Sequence, residues 1–139
     1  VAVEKYSIEV EADGFADVID ITSEVQGAVS KGKVQTGLAC VFVAGSTGAV
    51  TTIEHEPGLV QDLKEAFERV ASESAKYQHD LRWGDGNGFS HVRAALVGPS
   101  VTVPVERGKL QLGTWQQIVF IDFDNRPRSR RLSVTVVGE

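Results

Sequence analysis

Hydrophobic and polar positions along this chain alternate mostly with a period of two, and strand patterns outnumber helical ones. Val3 to Val10 alternates loosely and reads as a strand, and after the Asp13-Gly14 turn signal Phe15 to Ile21 carries a second. Ala39 to Ala44 is a continuous apolar run of strand length. Ala49 to Glu54 follows it after Gly45-Ser46-Thr47-Gly48, which predicts a pair of neighbouring strands. Ser100 to Val105 alternates, and Lys109 to Leu112 is expected to pair with it across Arg107-Gly108. Trp115 to Phe123 and Arg131 to Val137 complete the set, the last with Leu132, Val134 and Val136 on one face and Asp124 to Pro127 as its approach turn.

Helical spacing occurs in fewer places. Thr22 suits a helix N-cap, and Val25 and Val29 would share the buried side of a helix that stops near Gly32. The clearest helix runs from about Gly58 to Ser72, with Leu59, Leu63, Phe67 and Val70 forming a stripe and Pro57 in the first turn. A shorter one from about Gly88 to Val97 is expected to bury Phe89, Val92 and Leu96. Between Tyr77 and Ser90 the pattern breaks into polar residues and glycines. Two or three helices among many strands with hairpin-length turns predict one α+β domain over residues 1–139, largely antiparallel.

Composition narrows the classes without changing that picture. A chain of 139 residues can bury a core of its own, and 42% hydrophobic with 24% charged residues is ordinary for a globular domain. The longest apolar runs are strand-sized, far short of the roughly 20 residues that cross a bilayer, so no membrane partner is expected. The amino terminus shows no basic start followed by an apolar stretch, and a cytoplasmic location is the expectation. Cys40 is the only cysteine, which excludes an intramolecular disulfide and a cysteine-rich metal site, and its apolar neighbours predict a core thiol. A net charge of -5 argues against general nucleic-acid binding. Arg126, Arg128, Arg130 and Arg131 read as a charged, solvated strand edge.

Candidate chemistry concentrates between Tyr77 and His91. This segment holds His79 and His91, Asp80 and Asp85, and three glycines. If a helix begins near Gly88, Asn87 is its N-cap and His91 lies one turn in, where a loop can bring His79 back toward it. Imidazoles with a carboxylate suit zinc or another borderline divalent ion, and they equally suit proton transfer near neutrality. Spacing alone leaves open two histidines making ordinary hydrogen bonds in a polar loop. Gly84-Asp85-Gly86-Asn87-Gly88 ahead of a helix can also surround an anion with free amides, flanked by Arg82 and Arg93 as a phosphate clamp. A plain helix-starting loop is the alternative, and the Gly-Lys-Ser/Thr ending of a P-loop is absent. Glu54 shares a strand face with Thr52, while His55 reads as a solvated strand end.

A series of motifs runs through the chain: Ser46-Thr47-Gly48-Ala49-Val50-Thr51-Thr52-Ile53-Glu54, Glu56-Pro57-Gly58-Leu59 with Asp62, Tyr77-Gln78-His79, Gly86-Asn87-Gly88-Phe89-Ser90-His91 and Gly98-Pro99-Ser100. The most specific is Gly108-Lys109-Leu110-Gln111-Leu112-Gly113-Thr114-Trp115-Gln116-Gln117, followed by the arginine-rich turn and last strand. Together they resemble the YjbQ-like family, a group linked to a secondary thiamine-phosphate synthase activity. The resemblance covers nearly the whole chain. It implies a sandwich-like α+β domain assembled as a homotrimer, with a polar pocket at His79, Asn87 and His91 that takes a divalent metal ion, zinc or magnesium. The implied reaction joins a pyrimidine diphosphate to a thiazole phosphate with loss of pyrophosphate, so a small phosphorylated molecule is the expected partner. In that scheme His79 and His91 bind the ion or shuttle protons, and Glu54 or Asp80 completes the site. Gly86, Asn87 and Gly88 with Arg82, Arg93 and Arg107 hold phosphate, and Gln116 orients a ligand. Trp115 is expected to anchor the core or a subunit contact. Many members carry a histidine where this chain has Gly45. A non-catalytic trimer that binds a metal or an anion is the alternative, and phosphoester hydrolysis ranks below both for want of a hydrolase signature.

Overall fold

The computed structural model describes all 139 residues. In chain order the elements are β1 (Ala2–Ala12), β2 (Asp17–Asp20), α1 (Thr22–Lys31), β3 (Thr36–Val43), β4 (Gly48–Ile53), α2 (Pro57–Val70), α3 (Gln78–Trp83), α4 (Gly88–Val97), β5 (Ser100–Glu106), β6 (Lys109–Leu110), β7 (Gln117–Asp122) and β8 (Arg128–Gly138). Every strand pair is antiparallel. One sheet has the order β1-β8-β3-β5-β6 and the other β2-β7-β4. The two long terminal strands pair along their whole length, from Ala2 opposite Gly138 to Ala12 opposite Arg128.

The layers follow from which faces are apolar. The inner face of the large sheet (Ile8, Val10, Val41, Val43, Leu132, Val134, Val136) packs on one face of the small sheet, through Val50, Ile118 and Phe120, and on α1. Val25 and Val29 of α1 are buried there, each contributing about 1.5–3 kcal/mol of apolar burial. The opposite face of the small sheet, through Ala49, Val119 and Ile121, meets α4 and α2 by way of Ala94 and Phe67. Strand β7 is therefore covered on both sides, which explains why Ile118 to Ile121 is a continuous apolar run rather than an alternating one.

Several expectations need correction. There are four helices rather than two or three. Helix α3 escaped notice because its two large apolar residues, Leu81 and Trp83, are both exposed and make no buried stripe. The runs read as neighbouring strands, β3 and β4, belong to different sheets, and each finds its partners far along the chain. Thr22 does not cap α1. Its hydroxyl donates to Asp20 and accepts from the Ile118 amide at 2.9 Å, tying the helix start to β7. Helix α4 buries Phe89, Ser90, Arg93 and Ala94, leaving Val92 exposed and Leu96 65% exposed. The strand expected from Trp115 starts at Gln117, and Trp115 itself is 74% exposed. Cys40 is half-buried on the face of β3 turned away from the core, so it is no core thiol. Strand β8 lies between β1 and β3, so its arginines do not guard an edge.

Candidate metal centre

Helices α3 and α4 meet at their beginnings, and local chemistry explains why. The Asp80 carboxylate accepts a 2.8 Å hydrogen bond from the amide of Gly88, the first residue of α4. A Cβ on Gly88 would stand 2.5 Å from the Tyr77 Cβ, so only glycine allows this approach. Gly84 and Gly86 turn the intervening chain with φ of +74° and +69°, a region that favours glycine. The result is that His79, in the first turn of α3, faces His91, in the first turn of α4. Their ring centroids are 4.3 Å apart at a tilt of 39°. His79 Nδ1 lies 3.4 Å from Asp85 Oδ1 and 3.5 Å from Asp80 Oδ1.

One ligand atom each from His79, Asp80 and Asp85 falls within a 4.8 Å circle. Ligands about 2.0–2.1 Å from a tetrahedral ion stand roughly 3.3 Å apart, and the 3.4 and 3.5 Å separations from His79 Nδ1 are close to that spacing. Burial, followed by the neighbouring His79, lowers the pKa of His91 against the opposing pull of Asp85, Asp124 and Asp80. A neutral imidazole keeps the lone pair that a metal needs. One imidazole and two carboxylates, with the His91 ring 4.3 Å from that of His79, match zinc or a similar borderline ion better than magnesium, which prefers six oxygens.

Behind this pair lies a second, buried set of charges. Asn87 is 8% exposed and donates from Nδ2 to Asp124 Oδ1 at 3.2 Å, while its own Oδ1 has no partner. Asp124, 1% exposed, also accepts from the Asn125 amide, Thr47 and Arg128. Burial alone would raise its pKa, but the Asn125 amide, Asn87 and Arg128 outweigh it and hold the carboxyl below its ordinary value. Arg130 grips the fully buried Asp122 with Nε at 2.7 Å and Nη2 at 3.0 Å, and donates from Nη2 to Thr47 at 2.8 Å. On the outer side of His91 a cavity of about 360 Å³ opens between Gly45, Ser46, Gly48, Ala94, Ala95 and Pro99.

The sequence profile of the UPF0047, YjbQ-like proteins matches residues 6–139. The chain belongs to the UPF0047 family. A UPF0047 protein of Archaeoglobus fulgidus is 42% identical over 118 residues, covering 85% of this chain and 89% of that protein. The UPF0047 protein YugU of Bacillus subtilis is 34% identical over 124 residues, covering 88% of this chain and 90% of YugU. Among solved structures, a hypothetical protein from Aeropyrum pernix K1 superposes with a TM-score of 0.91 at 32% identity, covering 98% of this chain and 99% of that one. A YbjQ-like protein of unknown function from Sulfolobus solfataricus P2 gives 0.89 at 31%, covering 99% and 100%.

The motif residues of this UPF0047 chain do not all converge. His79, Asp80, Asn87 and His91 come together as described, with Gly86 and Gly88 shaping the turn. Gly88 does not offer its amide to an anion, because Asp80 already holds it. Arg93 is no phosphate clamp. It is buried, donates to the Ala71 carbonyl at 2.9 Å and faces Glu68 and Glu73. Arg82 stays exposed with its guanidinium 5.3 Å from the Trp83 ring. Gln116 bonds Thr52 and the Gly113 amide at the far end of the small sheet, where Ile53 pairs with Gln117. Six residues of β7 put that end roughly 20 Å from Asp122, so Gln116 and the adjoining Glu54 sit away from the histidines of the same chain. Arg107 lies beyond the far end of β5, lining a separate cavity with Gln26, Gln35 and Lys109.

The sequence reading missed Asp122, Asp124, Thr47 and Arg130, and underused Asp85. A signal for the buried set exists. Asp122 and Asp124 alternate at the end of an apolar strand, as do Arg128 and Arg130 at the start of the next. Charges on inward positions demand opposite charges, and these two patterns supply each other.

Proposed function

We propose that this UPF0047 protein uses a divalent ion at His79, His91, Asp80 and Asp85 to act on a small phosphorylated molecule, as a thiamine-phosphate synthase-like transferase. The observation that carries this reading is the grouping of His79 with Asp80 and Asp85, next to the His91 ring and an open cavity. An ion bound there supplies positive charge to a departing diphosphate. The chain's own part is to keep His91 neutral, to orient His79 through Asp80 and Asp85, and to fix the approach of the two helices through Gly88. Incubating the purified protein with the pyrimidine diphosphate and the thiazole phosphate, plus zinc or magnesium, should yield thiamine phosphate and pyrophosphate in equal amounts by chromatography. No product with either ion sinks the synthase reading.

The alternative reading is a non-catalytic metal- or anion-binding assembly. The occupied Gly88 amide and the committed Arg93 favour it, since both leave little at the helix start to steer a diphosphate. It predicts stoichiometric zinc by elemental analysis with no turnover, and loss of that zinc in the His79→Ala, His91→Ala double variant. A homotrimer belongs to both readings. What supports it is exposed apolar surface in two separate places, at Trp83 and Leu96 and again at Trp115. Sedimentation equilibrium at three chain masses is the expected result.

A further inference from the structure

We propose that the outer face of the five-stranded sheet is where copies of this chain meet. The inference rests on the proposal that the chain self-associates and names the surface that does so, apart from the metal and the phosphate. Helix α1 packs on the inner face of that sheet, and α2 and α4 lie against the small sheet, so no helix covers the outer face. The strand register gives its contents. Val3, Val137, Leu38 and Pro104 stand side by side across β1, β8, β3 and β5 in one unbroken apolar row. In the next row Cys40 lies between Thr135 and Thr102, with Lys5 at the edge. Beyond it Phe42 lies between Ser133 and Ser100, with Ser7 at the edge.

Content, charge and size together point to a second copy as the occupant. An antiparallel sheet that faces water on one side alternates apolar residues inside with polar ones outside. Here Val3, Leu38, Phe42 and Val137 are each 41–58% exposed, and Lys5 is the only charge in the three rows. A neutral centre of apolar and small side chains inside a charged border has the anatomy of an interface core and its rim. The border carries both signs. Glu9 accepts from Arg131 at 2.7 Å, and Glu106 stands opposite Lys109 across the β5–β6 hairpin. A strongly acidic or basic partner gains nothing from such a border. A second copy brings the same matched charges, so the net charge of -5 on the whole chain is not concentrated where the copies approach. Four strands about 4.8 Å apart, the shortest of seven residues, give a face of roughly 19 by 24 Å. With its side-chain relief that footprint approaches the roughly 800 Å² each partner buries in a stable interface. Small side chains over most of it let another sheet come to about 10 Å, as the inner face already packs on the small sheet.

The test follows the mass of the full chain by sedimentation equilibrium, with far-UV circular dichroism as the check on folding. The unaltered protein should sediment as a multiple of the chain. Leu38→Glu and Phe42→Glu should each fall to one chain mass, with dichroism and zinc content unchanged. Both side chains are exposed within one chain, so the core keeps its packing. Cys40, the only cysteine, reports on the same face without any substitution, and it decides if the variants fail to fold. A bulky maleimide should be kept from Cys40 in the assembly, and any labelled chain should sediment alone. Assembly retained in both glutamate variants, or full labelling of Cys40 at unchanged mass, overturns the proposal. An unaltered protein of one chain mass overturns it together with the homotrimer. Two chain masses that collapse in the variants uphold this face and sink the homotrimer alone.

Discussion

Asp122 and Asp124 share one end of the fold with Asp80 and Asp85, yet the two pairs of carboxylates live in different chemistry. Asp122 and Asp124 are buried, and their oxygens accept from Arg130, Arg128, Thr47, Asn87 and backbone amides. Asp80 and Asp85 are partly open to solvent, and both face the one His79 imidazole nitrogen, at 3.5 and 3.4 Å, a looser contact than a tight ion pair. Saturated charges hold a structure, because removing one partner strands the other in low dielectric. Unsaturated ones are free to take something else. Asn87 links the two sets, with one amide atom bound to Asp124 and the other unpartnered. The buried set is thus the frame, and the half-open set is the candidate site fixed to it.

That distinction predicts a graded series of effects. Asp122→Ala should cost about 3–5 kcal/mol in urea unfolding, since it strips the part-buried Arg130 of its bidentate partner and leaves it only Thr47 and the more distant Asp124. A loss under about 1 kcal/mol would mean the buried set is not a frame at all. Gly88→Ala should cost about 1–3 kcal/mol through the clash with Tyr77, and it should also weaken zinc binding by parting the two helices. Asp85→Ala should change stability by no more than about 0.5 kcal/mol while lowering zinc affinity, because its side chain is half-exposed and its one contact is with His79.

Acid gives the mildest probe of the same contrast. The Asp124 carboxyl is held below its ordinary value in the fold, so its ionised form stabilises the folded state. That contribution is complete above the unfolded carboxylate value of about 4 and is lost as pH falls through the lower folded value. The stability gap between the unaltered protein and Asp124→Asn should therefore shrink below about pH 4. His91 is also lowered, chiefly by burial, so the unfolded chain takes up that proton first as pH drops below about 6.5. Stability should fall slightly on that side, and the ring resonances of His91 should titrate below the ordinary imidazole value of about 6.5.

Elements whose evidence is local could be read directly from the chain. The period-two runs of β1, β5 and β8, the amphipathic stripe of α2 and the Pro57 start all depend on neighbours within a turn or a few residues. The approach of His79 to His91 was legible for the same reason, since glycines and ligand-type residues crowd into one short stretch. Partnership was not legible. The strands Ala39 to Ala44 and Ala49 to Glu54 sit side by side in sequence but enter different sheets, because each is satisfied by β8, β5 or β7 from the far half of the chain. Arg93 looked like a phosphate ligand until burial against Ala71, Glu68 and Glu73 removed it, and Arg130 looked like surface charge until Asp122 claimed it. Periodicity and turn chemistry act over a few residues and write themselves into the order of amino acids. Which charge meets which, and which donors remain free, is settled by chain closure over more than a hundred residues.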